Sequence, residues 1–583
     1  MTEPSGHGHG FDWIEYSVFT TSLMCSVAVG VYYGFFHKEN LDTVEGYVLG
    51  GKKMQLFPVA LSLVSSFISG ITLLSIPAET YVYGSQYMMA TVTFVIHGTI
   101  IVVFLLPVFY RLQFISLYEY LELRFDQKIR KFASLLFAMF QMMYIPIVIY
   151  GPALAMNQVT GVNVHLITPI VCMICIFYTT IGGLKAVVWA DTIQTVMMAG
   201  SMLTVAGLGV ARAGGVGAVI EAARQGDRLE FFNLRLDPAS RQTLWTVTFG
   251  LLAFWGGGQA VSPCVIQRFI SLPSERLARH AVGWYVLGAC SFLAMGCITG
   301  LIIYANYKDC DPIASQSIRY PDQLVPFFVS RIAKPLPGLL GLFLAGVFAA
   351  ALSTMSTGVN TIAATVYEDF ILPLLKETPS NAASSRSMKW LSFAFGIICV
   401  ALVFVVEKLG TILELCVSLG GGTNGTVYAV FLLGIFYHRA NAKGCMWGMI
   451  VGMLTITWII VGNRYNQVRG LVSYPVKPVS TTMCGNNVTN SYERKPAYMD
   501  EDVLFLFKLS GFYHSFIGFV VTLVVTIVAS NLTGGNDDRV LDPKLFTPMI
   551  RSRLPRRFRS VPTTENAESL PLNNILNSNT TKK

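Results

Sequence analysis

Four small polar residues lie in one apolar run of the chain, in the stretch Ala350–Thr357. Residues at positions i, i+3 and i+4 share a helix face, so the carbonyl of Ala350 and the hydroxyls of Ser353 and Thr354 can converge on one point. Neutral oxygens of this kind suit a small hard cation such as sodium. The alternative is that these hydroxyls bond to the preceding turn or to a neighbouring helix, and the pattern alone favours that interpretation.

Two other apolar runs contain residues that can break a helix near its centre. The segment 65–70 reads Ser-Ser-Phe-Ile-Ser-Gly, and the segment 255–259 reads Trp-Gly-Gly-Gly-Gln. Breaks in comparable positions are typical of an inverted repeat with a binding site at the middle of the membrane. Gly and Ser also serve close helix packing, but three consecutive glycines exceed that need and favour unwinding.

Charge is scarce within the apolar runs, which draws attention to Asp191 at the start of one of them. An ionisable residue in such a position is costly and is by default a functional candidate. The alternative is a helix cap near the membrane interface.

The composition excludes an ordinary soluble protein. Of 583 residues, 53% are hydrophobic and 13% charged, with a mean hydropathy of +0.55, whereas soluble domains carry about a quarter charged residues. We therefore predict an all-α integral membrane protein with about thirteen spans, each near the length needed to cross the hydrocarbon layer. The predicted spans are 13–36, 55–80, 84–110, 132–156, 163–181, 188–212, 245–268, 281–306, 337–366, 389–407, 411–437, 445–462 and 511–531.

The distribution of basic residues predicts the orientation. Lys and Arg concentrate in the loops that are cytoplasmic if the N-terminus is outside, and the short opposite segments 1–12 and 157–162 contain none. No cleavable signal is apparent, so the first span is kept as a membrane helix. The predicted parts are an extracellular N-terminus 1–12, a first extra helix and loop 13–54, two repeats 55–212 and 213–437, additional helices with a long outer loop 438–531, and a disordered cytoplasmic tail 532–583.

The outer loops carry two modification candidates. Cys310 and Cys484 both fall on the oxidising side, where a disulfide persists, although the sequence does not show that they meet. Asn487 begins an Asn-Val-Thr acceptor pattern in the longest outer loop, so we predict a glycoprotein.

The segment from Tyr178 to Gln194, together with Ala350–Thr357, resembles the sodium/solute symporter family, over roughly residues 10 to 460. Five further segments are similar to its branch of sodium-coupled monocarboxylate, multivitamin and iodide transporters. These segments are 107–112, 118–125, 147–154, 157–161 and 309–312.

The resemblance implies the LeuT-type fold, a five-plus-five inverted repeat with discontinuous helices and extra helices at its ends. It also implies roles for residues at matching positions. The sodium site would comprise Ser353, Thr354 and the carbonyls of Ala350, Ser65 and Ile68, with Asp191, Gln194 and the nearby Ser66 in support, and the substrate cavity would include Thr72, Tyr144, Trp255 and Gln259.

Two segments depart from the branch pattern. Residues 262–265 read Ser-Pro-Cys-Val where the branch has Asn-Gln-x-Gln, which argues against a second coupled sodium. Residues 420–426 lack the Gly-Pro of the branch. With two cavity segments altered, the resemblance does not determine which solute is carried.

The leading functional prediction is symport of sodium with a small organic anion, a monocarboxylate or vitamin carboxylate, across the plasma membrane. No Arg or Lys lies in the middle of a span, so helix N-termini and the hydroxyls of Thr72 and Tyr144 would have to meet the carboxylate. Iodide or sugar symport, and a channel or sensor of the same fold, are the alternatives. Phe67 and Thr72 disfavour sugar, because sugar-carrying relatives have Asn and His there. No enzymatic constellation, cofactor or nucleic-acid partner is predicted; the partners are sodium, a small solute and the lipid bilayer.

Overall fold

The computed structural model describes residues 11–36, 43–114, 116–334, 336–375, 377, 379–406, 412–484, 498–535, 541–551 and 553–554. Within these ranges the chain is helical, and a single β-bridge joins Val472 to Met499. The long helices are α1 (Trp13–Val31), α2 (Leu56–Phe67), α3 (Gly70–Tyr83), α4 (Ser85–Leu112), α5 (Gln127–Thr160), α6 (Val164–Arg212), α7 (Leu244–Ala260), α8 (Pro263–Ile270), α9 (Glu275–Tyr307), α10 (Leu339–Leu374), α11 (Asn381–Val406), α12 (Ile412–Phe436), α13 (Ala442–Val468) and α14 (Gly511–Leu532).

Two of the spans are discontinuous, as predicted. The pair α2 and α3 bends by 54° at its break, and the pair α7 and α8 also bends by 54°. Each broken pair opens a set of five spans, the first ending with α6 and the second with α12. This arrangement confirms the five-plus-five plan with discontinuous helices.

The first break lies inside the predicted segment. Ile68 leaves the helical region at φ −86° and ψ 88°, and Ser69 is extended and caps α3 by accepting the N–H of Ile71. Ile68 N–H still donates to the carbonyl of Val64 at 2.9 Å. Because α2 ends at Phe67, the carbonyls of Ser65, Ser66 and Phe67 accept no N–H from a following turn of the described backbone.

The second break lies just beyond the three glycines, and the prediction of unwinding at the glycines themselves is wrong. The helix runs through them as a wide turn, in which Val261 N–H donates to the carbonyl of Gly256 at 3.0 Å, and it ends before Pro263. The glycines serve packing against α12: a Cβ on Gly257 would lie 2.0 Å from the carbonyl oxygen of Asn424.

The helix α6 is 49 residues long because two spans join with almost no loop. Gly183 interrupts it at φ 57° and ψ −156°, and a Cβ there would lie 2.9 Å from the carbonyl oxygen of Tyr47. Among the described residues nine helices, or eleven spans with the two bent pairs, are long and apolar enough to cross a membrane. The count of thirteen stays a prediction.

The helix α10 lies at the centre of the bundle. In its most apolar 18-residue window 94% of the residues are buried, against 28% in α1, α11 and α14. The polar residues of α10 therefore face other helices, while the three peripheral helices present most of their surface to lipid.

Part of the predicted disordered tail is folded, so the prediction for 532–583 is wrong for the segment 541–551. Phe546 and Thr547 are fully buried, and the Arg124 guanidinium lies 5.1 Å from the centre of the Phe546 ring. Tyr120 donates to the carbonyl of Leu545 at 3.1 Å. The physical reason is local: a few apolar residues bury themselves in a segment whose average composition is polar.

Two loops that the sequence predicts to lie outside are tied together across a long sequence separation. Cys310 and Cys484 form a disulfide with a Cα–Cα distance of 5.1 Å, 174 residues apart in sequence. The neighbouring backbones also pair, since Met483 N–H donates to the carbonyl of Asp309 at 3.1 Å. Asn487 lies outside the described residues.

Candidate sodium and substrate site

Four of the five predicted sodium residues, Ser65, Ala350, Ser353 and Thr354, meet where the end of α2 crosses α10. Ser353 donates to the hydroxyl of Ser65 at 2.8 Å, and both side chains are fully buried. Thr354 donates to the carbonyl of Ala350 at 3.1 Å and to the carbonyl of Ser66 at 3.2 Å. Neutral oxygens from two helices therefore lie within hydrogen-bond reach of one another.

These oxygens fit a small hard cation by their chemistry. They are hydroxyls and carbonyls at a buried point, and Ile68, whose carbonyl belongs to the predicted set, is 2% exposed at the end of α2. The backbone oxygen that α10 contacts is that of Ser66, which the sequence placed only in a supporting role. Backbone carbonyls at the end of a broken membrane helix are suited to coordinate such an ion.

Asp191 is fully buried and joins α6 to the broken helix. Its Oδ2 accepts from Ser62 at 2.6 Å and from Ser66 at 3.4 Å. Its Oδ1 has no hydrogen-bond partner in the described part of the chain. Asp191 is therefore not a surface cap but a buried carboxylate that accepts a hydrogen bond from Ser66. We call Ser65, Ser66, Ala350, Ser353 and Thr354 the sodium cluster.

Arg268 of α8 pairs with this carboxylate, and sequence reasoning missed it. Arg268 is 1% exposed, and its guanidinium donates to Asp191 Oδ2 at 3.2 Å. Its other partners are the Ser62 hydroxyl at 2.8 Å, the Cys264 carbonyl at 2.8 Å, the Ser66 hydroxyl at 3.0 Å and the Thr357 hydroxyl at 2.6 Å. We call Ser62, Ser66, Asp191, Arg268 and Thr357 the inner network. It connects both broken helices to α6 and α10.

The signals for the missed residues were weak but present. Ser62 precedes Ser65 by three residues, and Thr357 follows Thr354 by three residues, so each shares a helix face with a predicted ligand. Arg268 is the last residue of a predicted span, where a basic side chain is ordinarily an interfacial residue.

Gln194 makes a different contact from the one expected of it. Its amide donates to Ser26 on the first helix α1 at 3.0 Å. The structure therefore brings Gln194 against the extra helix, and no hydrogen bond in the described residues connects it to the sodium cluster.

Two adjoining cavities lie beside the sodium cluster, and the four predicted substrate residues line them. Tyr144, Trp255 and Gln259 border both cavities, and Thr72 borders the larger one. Measured as space open to the centre of a water-sized sphere, the volumes are about 40 and 70 Å³. Thr354 and Ser66 also line the smaller cavity, so one wall is shared between cavity and sodium cluster.

The cavity walls are uncharged and rich in aromatic side chains. Trp255 stacks on Phe94 at a centroid distance of 4.0 Å, and Tyr285 donates to Gln259. None of the described residues that line either cavity is charged. Positive potential comes instead from helix ends: Ser69 and Thr72, at the N-terminus of the 14-residue helix α3, line the larger cavity.

Comparison with known proteins agrees with this architecture. The model of the sodium:solute symporter family matches residues 47–452. The chain is 35% identical to sodium-coupled monocarboxylate transporter 2 of Bos taurus, covering 92% of this chain and 86% of that protein. It is 31% identical to a putative sodium-dependent multivitamin transporter of Drosophila melanogaster, covering 93% and 92%.

A solved structure shows the same fold. A sodium-coupled sialic acid symporter, in a substrate-bound outward-open state, superposes with a TM-score of 0.74 at 24% identity, covering 90% of this chain and 98% of that one. The family model spans most of the chain, and the relatives extend over nearly all of it. The chain therefore belongs to the sodium:solute symporter family.

Proposed function

We propose that this protein couples the entry of sodium to the uptake of a small monocarboxylate. The observation that carries the proposal is that the sodium cluster forms part of the wall of the smaller cavity. Thr354 and Ser66 belong to the cluster and also line that cavity. An ion held there is adjacent to the solute, so each stabilises the binding of the other. The monocarboxylate and multivitamin transporters among the relatives support this substrate class.

The cavity suits a carboxylate with a short apolar body. The N-terminus of α3 and the hydroxyls of Thr72 and Tyr144 meet the negative end, since helix N-termini bind anions without a cationic side chain. The aromatic walls, with Trp255 and Phe94 in contact, cover the apolar part. The small volumes favour a short monocarboxylate over a bulky vitamin.

The inner network gives the transport cycle a gate. Alternating access in this fold is a rocking of one set of helices against the other around a fixed site. Arg268 and Ser62 belong to the two broken helices, while Asp191 and Thr357 belong to α6 and α10. Opening a path on the side of the molecule where the inner network lies requires these contacts to separate. Sodium bound at Ser353 and Thr354 would hold α10 against the broken helix α2 and so oppose that separation.

The orientation completes the proposal. The N-terminus lies outside and the C-terminus inside a plasma membrane, which places the disulfide between Cys310 and Cys484 on the outer side. The inner network then faces the cytoplasm. Sodium entering from outside therefore binds before the gate opens.

Uptake into reconstituted vesicles tests the proposal. The panel contains labelled lactate, pyruvate, a vitamin carboxylate, iodide and a sugar, each measured with and without an inward sodium gradient. We expect gradient-dependent uptake of the short monocarboxylates, and weaker uptake in Thr72→Ala. Thr99→Ala is the matched control, because Thr99 is exposed on α4 and bonds to its own helix. Uptake of the sugar alone, or flux independent of sodium, would contradict the proposal.

A further inference from the structure

A groove between α6 and α11 lies apart from the transport site. Its volume is about 440 Å³, measured as space open to the centre of a water-sized sphere. Each wall is one face of a helix, because the lining residues repeat at i, i+3, i+4 and i+7. They are Met173, Ile176, Phe177 and Thr180 on α6, with Ile181, and Arg386, Lys389, Trp390 and Phe393 on α11.

The groove opens toward lipid. Phe177 is 44% exposed and Trp390 is 72% exposed, although both belong to helices long and apolar enough to cross the membrane. The two helices touch at Gly396, where a Cβ would lie 2.5 Å from the side chain of Ile176. From that contact the groove extends toward the start of α11, which is the end that carries the charges.

Among the described residues that line the groove, its charged end has two cations and no acidic side chain. Arg386 and Lys389 lie one turn apart, and neither forms an ion pair with any residue that the structure describes. The Lys389 ammonium lies 5.7 Å from the centre of the Tyr47 ring, a contact that leaves its charge uncompensated. Trp390 beside them is of the type that lies at the headgroup level of a bilayer.

We propose that this groove binds one anionic phospholipid. Arg386 and Lys389 meet the headgroup phosphate, because paired cations at an interface attract phosphate and Arg matches its geometry. The apolar faces of α6 and α11 hold an acyl chain along the groove. The start of α11 lies on the side proposed to be cytoplasmic, where anionic lipids are concentrated.

The proposal is tested by quenching of Trp390 with brominated lipid. The full-length protein is reconstituted in phosphatidylcholine vesicles that contain an equal minor fraction of brominated phosphatidylserine or brominated phosphatidylcholine in both leaflets. Subtracting the signal of Trp390→Phe isolates this residue. We expect a preference for phosphatidylserine of roughly twenty-five-fold, which should fall about fivefold for each cation removed in Arg386→Gln and Lys389→Gln. Because both leaflets carry the probe, the result does not depend on the orientation of the chain.

A second basic and aromatic pair supplies the matched control. Lys443 and Trp447 lie one turn apart at the start of α13, and Trp447 is 59% exposed. Quenching of Trp447, isolated in the same way, should show a weaker preference, and Lys443→Gln should leave the preference at Trp390 unchanged. Equal quenching of Trp390 by the two lipids, or a preference that survives in the Arg386→Gln, Lys389→Gln double variant, would overturn the proposal. An equal preference at Trp447 would also overturn it, since that result shows general attraction to the membrane surface. Each variant is first checked for sodium-dependent uptake, which a folded protein retains.

Discussion

Replacing Arg268 with a neutral residue tests how much the inner network stabilises the packing of the broken helices against α6 and α10. In Arg268→Gln, five hydrogen bonds from a guanidinium that is 1% exposed are lost, and Asp191 is left buried without its cation. Breaking a buried ion pair in this way costs about 3–5 kcal/mol. Asp191→Asn should cost a similar amount, because it leaves the buried Arg268 guanidinium without its counter-charge. The double variant should be about as stable as either single variant or more stable, because it leaves no uncompensated charge.

The assay is the apparent melting temperature of the purified protein in detergent, followed by size-exclusion chromatography. We expect Arg268→Gln to lower it by on the order of 5 °C, since a large domain shifts by a few degrees per kcal/mol at most. Arg279→Gln is the control: its pair with Glu275 is half exposed, at 2.6 Å, and such pairs contribute below about 1 kcal/mol. If the decreases in melting temperature caused by Arg268→Gln and Asp191→Asn simply add in the double variant, the two residues do not interact and the reasoning is refuted.

Three further predictions concern the two membrane faces. Asn487→Gln should increase gel mobility after expression in a eukaryotic host, and glycan on Asn579 instead would reverse the orientation. A thiol probe added outside should label Cys310 and Cys484 only after reduction, and labelling without reductant would show that the bridge is absent in the native protein. Phe546→Ala should make the tail more sensitive to trypsin in inside-out vesicles, because burial of that ring holds the segment; equal sensitivity of the two proteins would show that the tail is not docked.

The breaks in the helices were predictable because small polar residues are visible in an apolar run. Ser65 to Gly70 carries that signal, and the helix unwinds inside it at Ile68 and Ser69. The glycines from Gly256 to Gly258 misled the prediction of the second break, since they are required by the approach of α12 and not by unwinding. A sequence does not distinguish a glycine that bends a helix from one that admits a neighbour.

Partners across the bundle were not predictable from single positions. Asp191 was recognised as a costly buried charge, but its cation stands 77 residues later at the end of a span, where a basic residue usually reaches the interface. The prediction of a wholly disordered tail failed for a related reason. Phe546 is one of a few apolar residues in a tail that is polar on average, and only the fold supplies the surface that buries it.

Sodium activation of uptake in two variants of Thr354 tests the central claim most directly. The hydroxyl contacts the carbonyls of Ala350 and Ser66, so Thr354→Ala removes one oxygen from the cluster, while Thr354→Ser keeps it. Losing a buried polar contact costs about 1–3 kcal/mol, so half-saturating sodium should rise roughly tenfold in Thr354→Ala. It should change little in Thr354→Ser and in the exposed control Thr99→Ala, with surface expression equal in all. An unchanged half-saturation in Thr354→Ala, or equal effects of Ala and Ser, would contradict sodium binding at this cluster.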